Sequence, residues 1–234
     1  MANHDPNLER ASKLDTTSLS DAMDRLGIAG QCLGIKPLDP SFRLTGRAFT
    51  ILYGPAGKPP GTVGDYIDDV AAGSVVVLDN GGRENATVWG DILTWVAHSR
   101  GIAGTVIDGS CRDTALAREL GYPIYSRSYS MRTGRERVEV EATNGPVNIG
   151  DARVLHGDLL RGDADGVVAI PRAHENEVLK AAEEIDAAED RHPSRRQGRQ
   201  NAGRSSSPVR VSSTAKQAVT RLDLDQWQIS DISV

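Results

Sequence analysis

Hydrophobic and polar positions along this chain change period several times, and each change marks an element. SVVVLDN (74–80) and GTVIDG (104–109) are continuous, mostly β-branched runs of the kind that lie buried in a parallel sheet. Between them, residues 91–100 place Ile92, Leu93, Val96 and Ala97 at helical spacing, with His98 and Arg100 turned outward. Thr114–Leu120 reads as a second short helix and PIYSRS (123–128) as a third strand. This β–α–β–α–β rhythm predicts an α/β fold, a parallel or mixed sheet with flanking helices. Upstream, RLTGRAFTILYG (43–54) alternates well enough for a further strand.

The remaining stretches are less regular. Residues 1–14 are polar and predict a flexible arm. Thr16-Thr17-Ser18 can cap a short helix, SLSDAMDRLG, with Asp21 in its first turn if Ser18 is the cap, and Gly27 stops it. GPAGKPPGT (54–62) carries three prolines and three glycines in nine residues, which excludes regular structure. Tyr66 to Ala72 suggests a short helix, and Asn80-Gly81-Gly82 a turn. From Arg135 to Pro171 the pattern shortens into RVEVEA, VNIG, ARVLHG and GVVAIP, β-rich structure expected to wrap the same core. HENEVLKAAEEIDAAEDR (174–191) is a helix with Val178, Leu179, Ala182 and Ile185 as its apolar stripe. Three segments result: an arm over 1–14, one α/β domain over 15–190, and an Arg/Ser-rich tail over 191–234 with the composition of disorder, apart from a candidate ordered scrap at LDLDQW.

A length of 234 residues suits one sizeable domain. With only 4% aromatic residues, the core must come mainly from Val, Ile, Leu and Ala. No run approaches the roughly 18 apolar residues that span a bilayer, and the polar N-terminus argues against a secretory signal. Two cysteines, Cys32 and Cys111, far apart in sequence, read as reduced thiols, so the expected location is cytoplasmic. Net charge is −5, yet no Asp or Glu occurs between Arg191 and Arg221. The body is therefore no nucleic-acid binder, whereas the basic tail could be.

Candidate chemistry gathers in one place. In a strand–helix–strand unit, the helix start at Asp91 and the strand tip at Arg112-Asp113 lie at the same edge of the sheet. An arginine and two carboxylates beside unpaired backbone N–H groups suit a divalent metal and a small 2-oxo acid. The blander alternatives are that Asp91 caps its own helix and that Arg112-Asp113 is a surface ion pair. Competing motifs are weak: there is no GxxxxGK[ST], HExxH or paired CxxC, and the five histidines lack metal-ligand spacing. Ser110-Cys111 has no base at a predictable place. Asp158, Asp163 and Asp165 resemble a calcium loop only in composition, and turn formation explains them better.

DTTSLSDAMDRLG, WGDILTWVAHSRGIAGTVIDGSCRD, ELGYPIYSRS and GDLLRGDADGVVAIP, in this order, resemble the RraA-like proteins over about Leu14 to Asp190. More narrowly they resemble the class II 4-hydroxy-4-methyl-2-oxoglutarate/4-carboxy-4-hydroxy-2-oxoadipate aldolases. The signature of those enzymes, an Asp, twenty residues, then Arg-Asp, is matched by Asp91 and Arg112-Asp113. The resemblance implies a swivelling β/β/α domain assembled as a homotrimer or hexamer, with the site at a subunit interface. It implies that Asp113 binds Mg²⁺ or Mn²⁺, that Arg112 contacts the pyruvyl oxygens, and that Asp91 holds a metal-bound water. Gly90 and the backbone N–H groups of Ile92 and Leu93 would line the substrate carboxylate site. Two positions depart from the family pattern. Leu116 stands where an acid follows the Asp, leaving Glu119 at a looser spacing. The acid donated by a neighbouring subunit has only unaligned candidates in Glu183, Glu184, Glu189 and Asp190.

The expected activity is metal-assisted retro-aldol cleavage of a 4-hydroxy-2-oxo acid to pyruvate, with oxaloacetate decarboxylation as a side activity. The alternative is a non-catalytic regulator that binds a ribonuclease or other protein partner, as ribonuclease-inhibiting relatives do. Those relatives lack the leading Asp, so Asp91 favours the enzyme.

Overall fold

The structure, a computed structural model, describes residues 5–189. Its first half runs α1 (Pro6–Ser12), α2 (Thr16–Leu26), β1 (Lys36–Pro37), β2 (Leu44–Pro55), β3 (Ser74–Thr87), α3 (Asp91–Ser99), β4 (Gly104–Cys111), α4 (Thr114–Leu120) and β5 (Ile124–Tyr129). The second half runs β6 (Val138–Thr143), β7 (Val147–Ile149), β8 (Ala152–Val154), β9 (Leu159–Gly162), β10 (Val167–Ile170) and α5 (Glu175–Glu189).

Strands β2 to β5 are parallel neighbours, aligned at Arg47↔Ser74, Val75↔Gly104 and Thr105↔Ile124. The order across the eight-stranded mixed sheet is β1-β5-β4-β3-β2-β9-β10, with β6 also pairing with β2; β1, β6, β9 and β10 join antiparallel. Both faces are covered, which is why the β3 and β4 runs are continuous rather than alternating. On one face Ile51, Leu78, Ile107 and Ile124 pack with Trp89 and Ala97 near α3 and α4. On the other, Val75, Val77, Val106 and Tyr125 meet Val147, Ile149 and Val154 of the β7–β8 hairpin. A third cluster joins α1, α2 and α5 through Ala11, Leu19, Met23, Val178 and Leu179.

Two buried carboxylates hold the hairpin. Asp79 Oδ2 accepts the Asn148 N–H and Asp108 Oδ2 the Gly150 N–H, each at 2.8 Å, and Arg127 pairs with Asp108. The charge that follows each apolar run, within β3 and within β4, is thereby satisfied, as burial requires.

Several expectations need correction. The arm predicted over 1–14 is, over the described residues, the capped helix α1: Asp5 accepts from Asn7 and Leu8 N–H, and Ala11 is fully buried. Polar composition misled because α1 buries only a narrow stripe while ion pairs secure the rest, Asp5 to Arg47 and Arg10 to Glu183. Asp15, not Ser18, caps α2, accepting the Ser18 N–H, and Gly27 closes it at φ 68°. The helix expected over Tyr66–Ala72 is a single 3-10 turn, Asp65–Asp69. Asn80-Gly81-Gly82 does not end its strand; β3 continues to Thr87 with shifted register, both glycines taking positive φ. β9 was hidden in GDLLRGDADG, where the aspartates signal turns: Asp158 accepts from Leu155 and Arg172, and Asp163 from Thr16 and Asp165. The tail over 191–234, with its expected disorder and nucleic-acid role, lies outside the described residues.

Candidate functional site

Two chain segments leave neighbouring strands at one edge of the sheet. After β3, Val88-Trp89-Gly90 leads into α3, and Trp89 is locked by its Nε1–H to Thr94 Oγ1 (2.9 Å) and by stacking on Tyr122 (ring centroids 6.2 Å apart, 2° between planes). Thr94 Oγ1 in turn donates to the Gly90 carbonyl at 2.8 Å, so the start of α3 is rigid. After β4, the Arg112 N–H donates to the Trp89 carbonyl at 2.9 Å, which sets Arg112-Asp113 against Gly90.

Gly90 is required by close approach. A Cβ there would lie 2.9 Å from Asp113 Oδ2 and 3.1 Å from Arg112 Nε. Its backbone is extended, at φ −145° and ψ −162°. Asp91 follows in the first turn of α3; its N–H points at Asp113 Oδ2 at 3.4 Å. Arg112 Nε lies 3.1 Å from the same oxygen. Asp113 occupies the left-handed region (φ 55°, ψ 40°) at the start of α4, yet its side chain makes no capping bond to that helix. A non-glycine residue held in this region without a local reward is characteristic of functional positions. The carboxylate is turned toward α3 instead.

The Asp91 main chain and the side chains of Arg112 and Asp113 therefore converge, and Gly90 makes room for them. The expectation for the backbone donors changes in part. The Ile92 N–H is taken by Asp91's own Oδ1 at 2.8 Å, which is the self-capping alternative in a local form. Among the described residues, the Leu93 N–H has no acceptor and is the open donor of this turn. Glu119 lies six residues along from Asp113, a rise of about 9 Å at 1.5 Å per residue, against about 4.5 Å for Leu116. Of the candidate acids in α5, Glu183 is paired with Arg10 and Glu184 with Arg25 inside this chain. Asp190 is outside the described residues.

One contributor had no signal in the sequence. The segment after β5 crosses the sheet edge, with the Ser130 N–H bonded to the Cys111 carbonyl (2.9 Å) and the Arg132 carbonyl accepting from Thr87 N–H (3.1 Å) and Thr87 Oγ1 (2.9 Å). It thus ties together the two strands that carry the site. Its irregular backbone follows no period, so only the tertiary contacts reveal it. A separate cavity of about 250 Å³, lined by Thr17, Ser20, Asp21, Gln31 and Lys36 among others, contains none of the site residues. Both cysteines are free and buried, as expected. Among the described residues, no three of His, Cys, Asp and Glu cluster to hold a metal, and no helix is long and apolar enough to cross a membrane.

The family model for RraA-like proteins (Aldolase/RraA) matches residues 16–169. This chain belongs to the RraA-like family. It is 37% identical over 191 residues to the protein DlpA of Legionella pneumophila; the match covers 80% of this chain but 31% of DlpA, so the chain spans about a third of that relative. It is 31% identical to a Halalkalibacterium halodurans protein named "Putative 4-hydroxy-4-methyl-2-oxoglutarate aldolase", over 76% of this chain and 82% of that one. Among solved structures, Streptomyces coelicolor RraAS2, described as an unusual member of the RNase ES inhibitor RraA protein family, superposes with a TM-score of 0.74 at 26% identity, covering 81% of this chain and 96% of its own. The mixed sheet with flanking helices is the RraA fold.

Proposed function

We propose that this RraA-like protein is a divalent-metal-dependent aldolase that cleaves a 4-hydroxy-2-oxo acid, of the 4-hydroxy-4-methyl-2-oxoglutarate type, to pyruvate and a second oxo acid. The observation that carries the reading is the meeting of Asp91, Arg112 and Asp113 over Gly90. The names of relatives such as the H. halodurans protein support it.

The donor set fits Mg²⁺ or Mn²⁺. Both polar contacts to the Asp113 carboxylate fall on Oδ2, leaving Oδ1 without a partner among the described residues. One or two carboxylates suit a hard cation that keeps most of its waters, whereas a closed cage of three or more side chains is absent among the described residues. Asp113 would hold the cation, which would supply Lewis-acid stabilisation of the negative charge that develops on the 2-oxo oxygen.

The chain's own groups carry the rest. Cleavage breaks the C3–C4 bond, leaves the electron pair on C3 as an enolate, and removes the proton of the C4 hydroxyl. Arg112 uses only Nε on Asp113, so its two terminal nitrogens are left for the pyruvyl oxygens and would stabilise the enolate where its charge appears. The Leu93 N–H and the positive end of α3 receive the C1 carboxylate. Asp91 would hold the water that takes the C4 hydroxyl proton as the C4 carbonyl forms and that returns a proton to C3 of the enolate, which completes pyruvate. Oxaloacetate decarboxylation passes through the same enolate. Exposed Ile92, Trp95, Tyr129 and Met131 around this edge support assembly as a homotrimer or hexamer, measurable by light scattering.

Pyruvate release from a panel of 4-hydroxy-2-oxo acids, with and without chelator, tests the proposal. Metal-dependent release is expected. Absence of cleavage of every oxo acid, oxaloacetate included, under Mg²⁺ or Mn²⁺ would overturn it and favour the second reading, a protein-binding regulator, for which the likeness to RraAS2 is the specific support.

A further inference from the structure

The crossing segment after β5 carries a cation with no assigned task. Arg132 is exposed, and among the described residues its guanidinium has no hydrogen bond or ion pair. Other arginines of this sheet edge are engaged: Arg83 bonds the Asn80 carbonyl, Arg127 pairs with Asp108, Arg118 bonds the Leu38 carbonyl and Arg137 the Thr133 carbonyl. Yet the backbone of Arg132 is fixed. Its carbonyl takes two bonds from Thr87, three residues before Gly90, and Ser130 is bonded to Cys111, the residue before Arg112. Gly134 packs so tightly on Thr87 that a Cβ would sit 2.2 Å from the Thr87 carbonyl oxygen, so the segment cannot slide. An unneutralised arginine held on a rigid backbone between the two limbs of an anion site is placed for a second carboxylate.

We propose that Arg132 determines specificity by receiving the distal carboxylate of a dicarboxylic 2-oxo acid, while Arg112 and Leu93 hold the pyruvyl end. This rests on the site assignment made above. It deepens that assignment by naming the residue that selects a dicarboxylic substrate over one whose C4 substituents are apolar. A charge-assisted arginine–carboxylate hydrogen bond of this kind is worth about tenfold in affinity.

Calorimetric titration in Mg²⁺ with 2-oxoglutarate, which has the second carboxylate but no C4 hydroxyl to cleave, and with pyruvate tests the inference without turnover. Wild type should bind 2-oxoglutarate more tightly than pyruvate by about tenfold. Arg132→Ala should collapse that ratio toward one, and Arg132→Lys should restore part of it. In kinetics, Arg132→Ala should raise KM for 4-hydroxy-4-methyl-2-oxoglutarate far more than it lowers kcat. Because the segment is held by backbone bonds, circular dichroism and melting should be unchanged. Equal binding of both ligands by wild type, or an unchanged ratio in Arg132→Ala, overturns the inference. The expected binding pattern without pyruvate release would instead sink the aldolase reading and leave the role of Arg132 standing.

Discussion

The main-chain N–H of Asp91 points at Oδ2 of Asp113 across 3.4 Å, joining residues 22 positions apart. The contact exists because Gly90, between them, has no side chain to hold them apart.

Gly90→Ala should therefore act on the site and little on the fold. The added methyl meets Asp113 Oδ2 at 2.9 Å and Arg112 Nε at 3.1 Å, and both side chains are partly exposed and can swing away. Stability should change by no more than about 1 kcal/mol, because alanine replaces glycine at a helix cap in extended backbone. Aldolase kcat/KM should fall by ten- to a hundredfold, as misplacement by about an ångström does. Steady-state kinetics beside a thermal melt read both.

Asp113 separates function from backbone strain. At φ 55° a Cβ is disfavoured by roughly 1–2 kcal/mol, and glycine escapes that cost. Asp113→Gly and Asp113→Ala should both abolish metal-dependent turnover, while Gly is the more stable of the two by about 1 kcal/mol. Chemical denaturation ranks them. Retained metal-dependent activity in either would remove Asp113 from the site.

Arg47 should prove the main fastener of both termini of the described chain. It pairs with Asp5 before α1 and with Glu175, which is 4% exposed, at the start of α5. Arg47→Met strands that buried carboxylate, and the cost should be roughly 3 kcal/mol. A shift in the urea midpoint at unchanged slope is the measurement.

Acid should loosen α1 before the sheet. Burial opposes ionisation of Asp5, but Arg47 outweighs it and holds the carboxyl below its ordinary value of 3.8. Arg10 does the same for Glu183, against an ordinary 4.5. A depressed folded-state value means the stabilisation is present above the unfolded value and is lost as pH falls through the folded one. Amide exchange in α1 should therefore accelerate below about pH 4, ahead of β3 and β4.

Both thiols should be silent in the native protein. Burial and the nearby Asp108 charge push Cys32 up to about 12, and burial raises Cys111. Native protein at pH 8 should consume almost no thiol reagent, and denatured protein two equivalents.

What the residues determined alone was local and periodic. The β-branched runs of β3 and β4, the amphipathic α3 and α5, and Gly27 as a helix stop read directly, because burial on both faces or on one stripe leaves a pattern in consecutive residues. The pairing of Asp91 with Arg112-Asp113 was legible as well, since a βαβ unit places a helix start and the next strand end on one edge. What only the tertiary structure decided depends on contacts between distant segments. Asp5 and Arg47 meet 42 residues apart and turn a polar arm into a docked helix. The Ile92 N–H goes to Asp91, leaving Leu93 as the open donor. The Arg132 carbonyl is tied to Thr87 near the end of β3, and a bond to a main-chain carbonyl carries no signal by which a sequence could announce it.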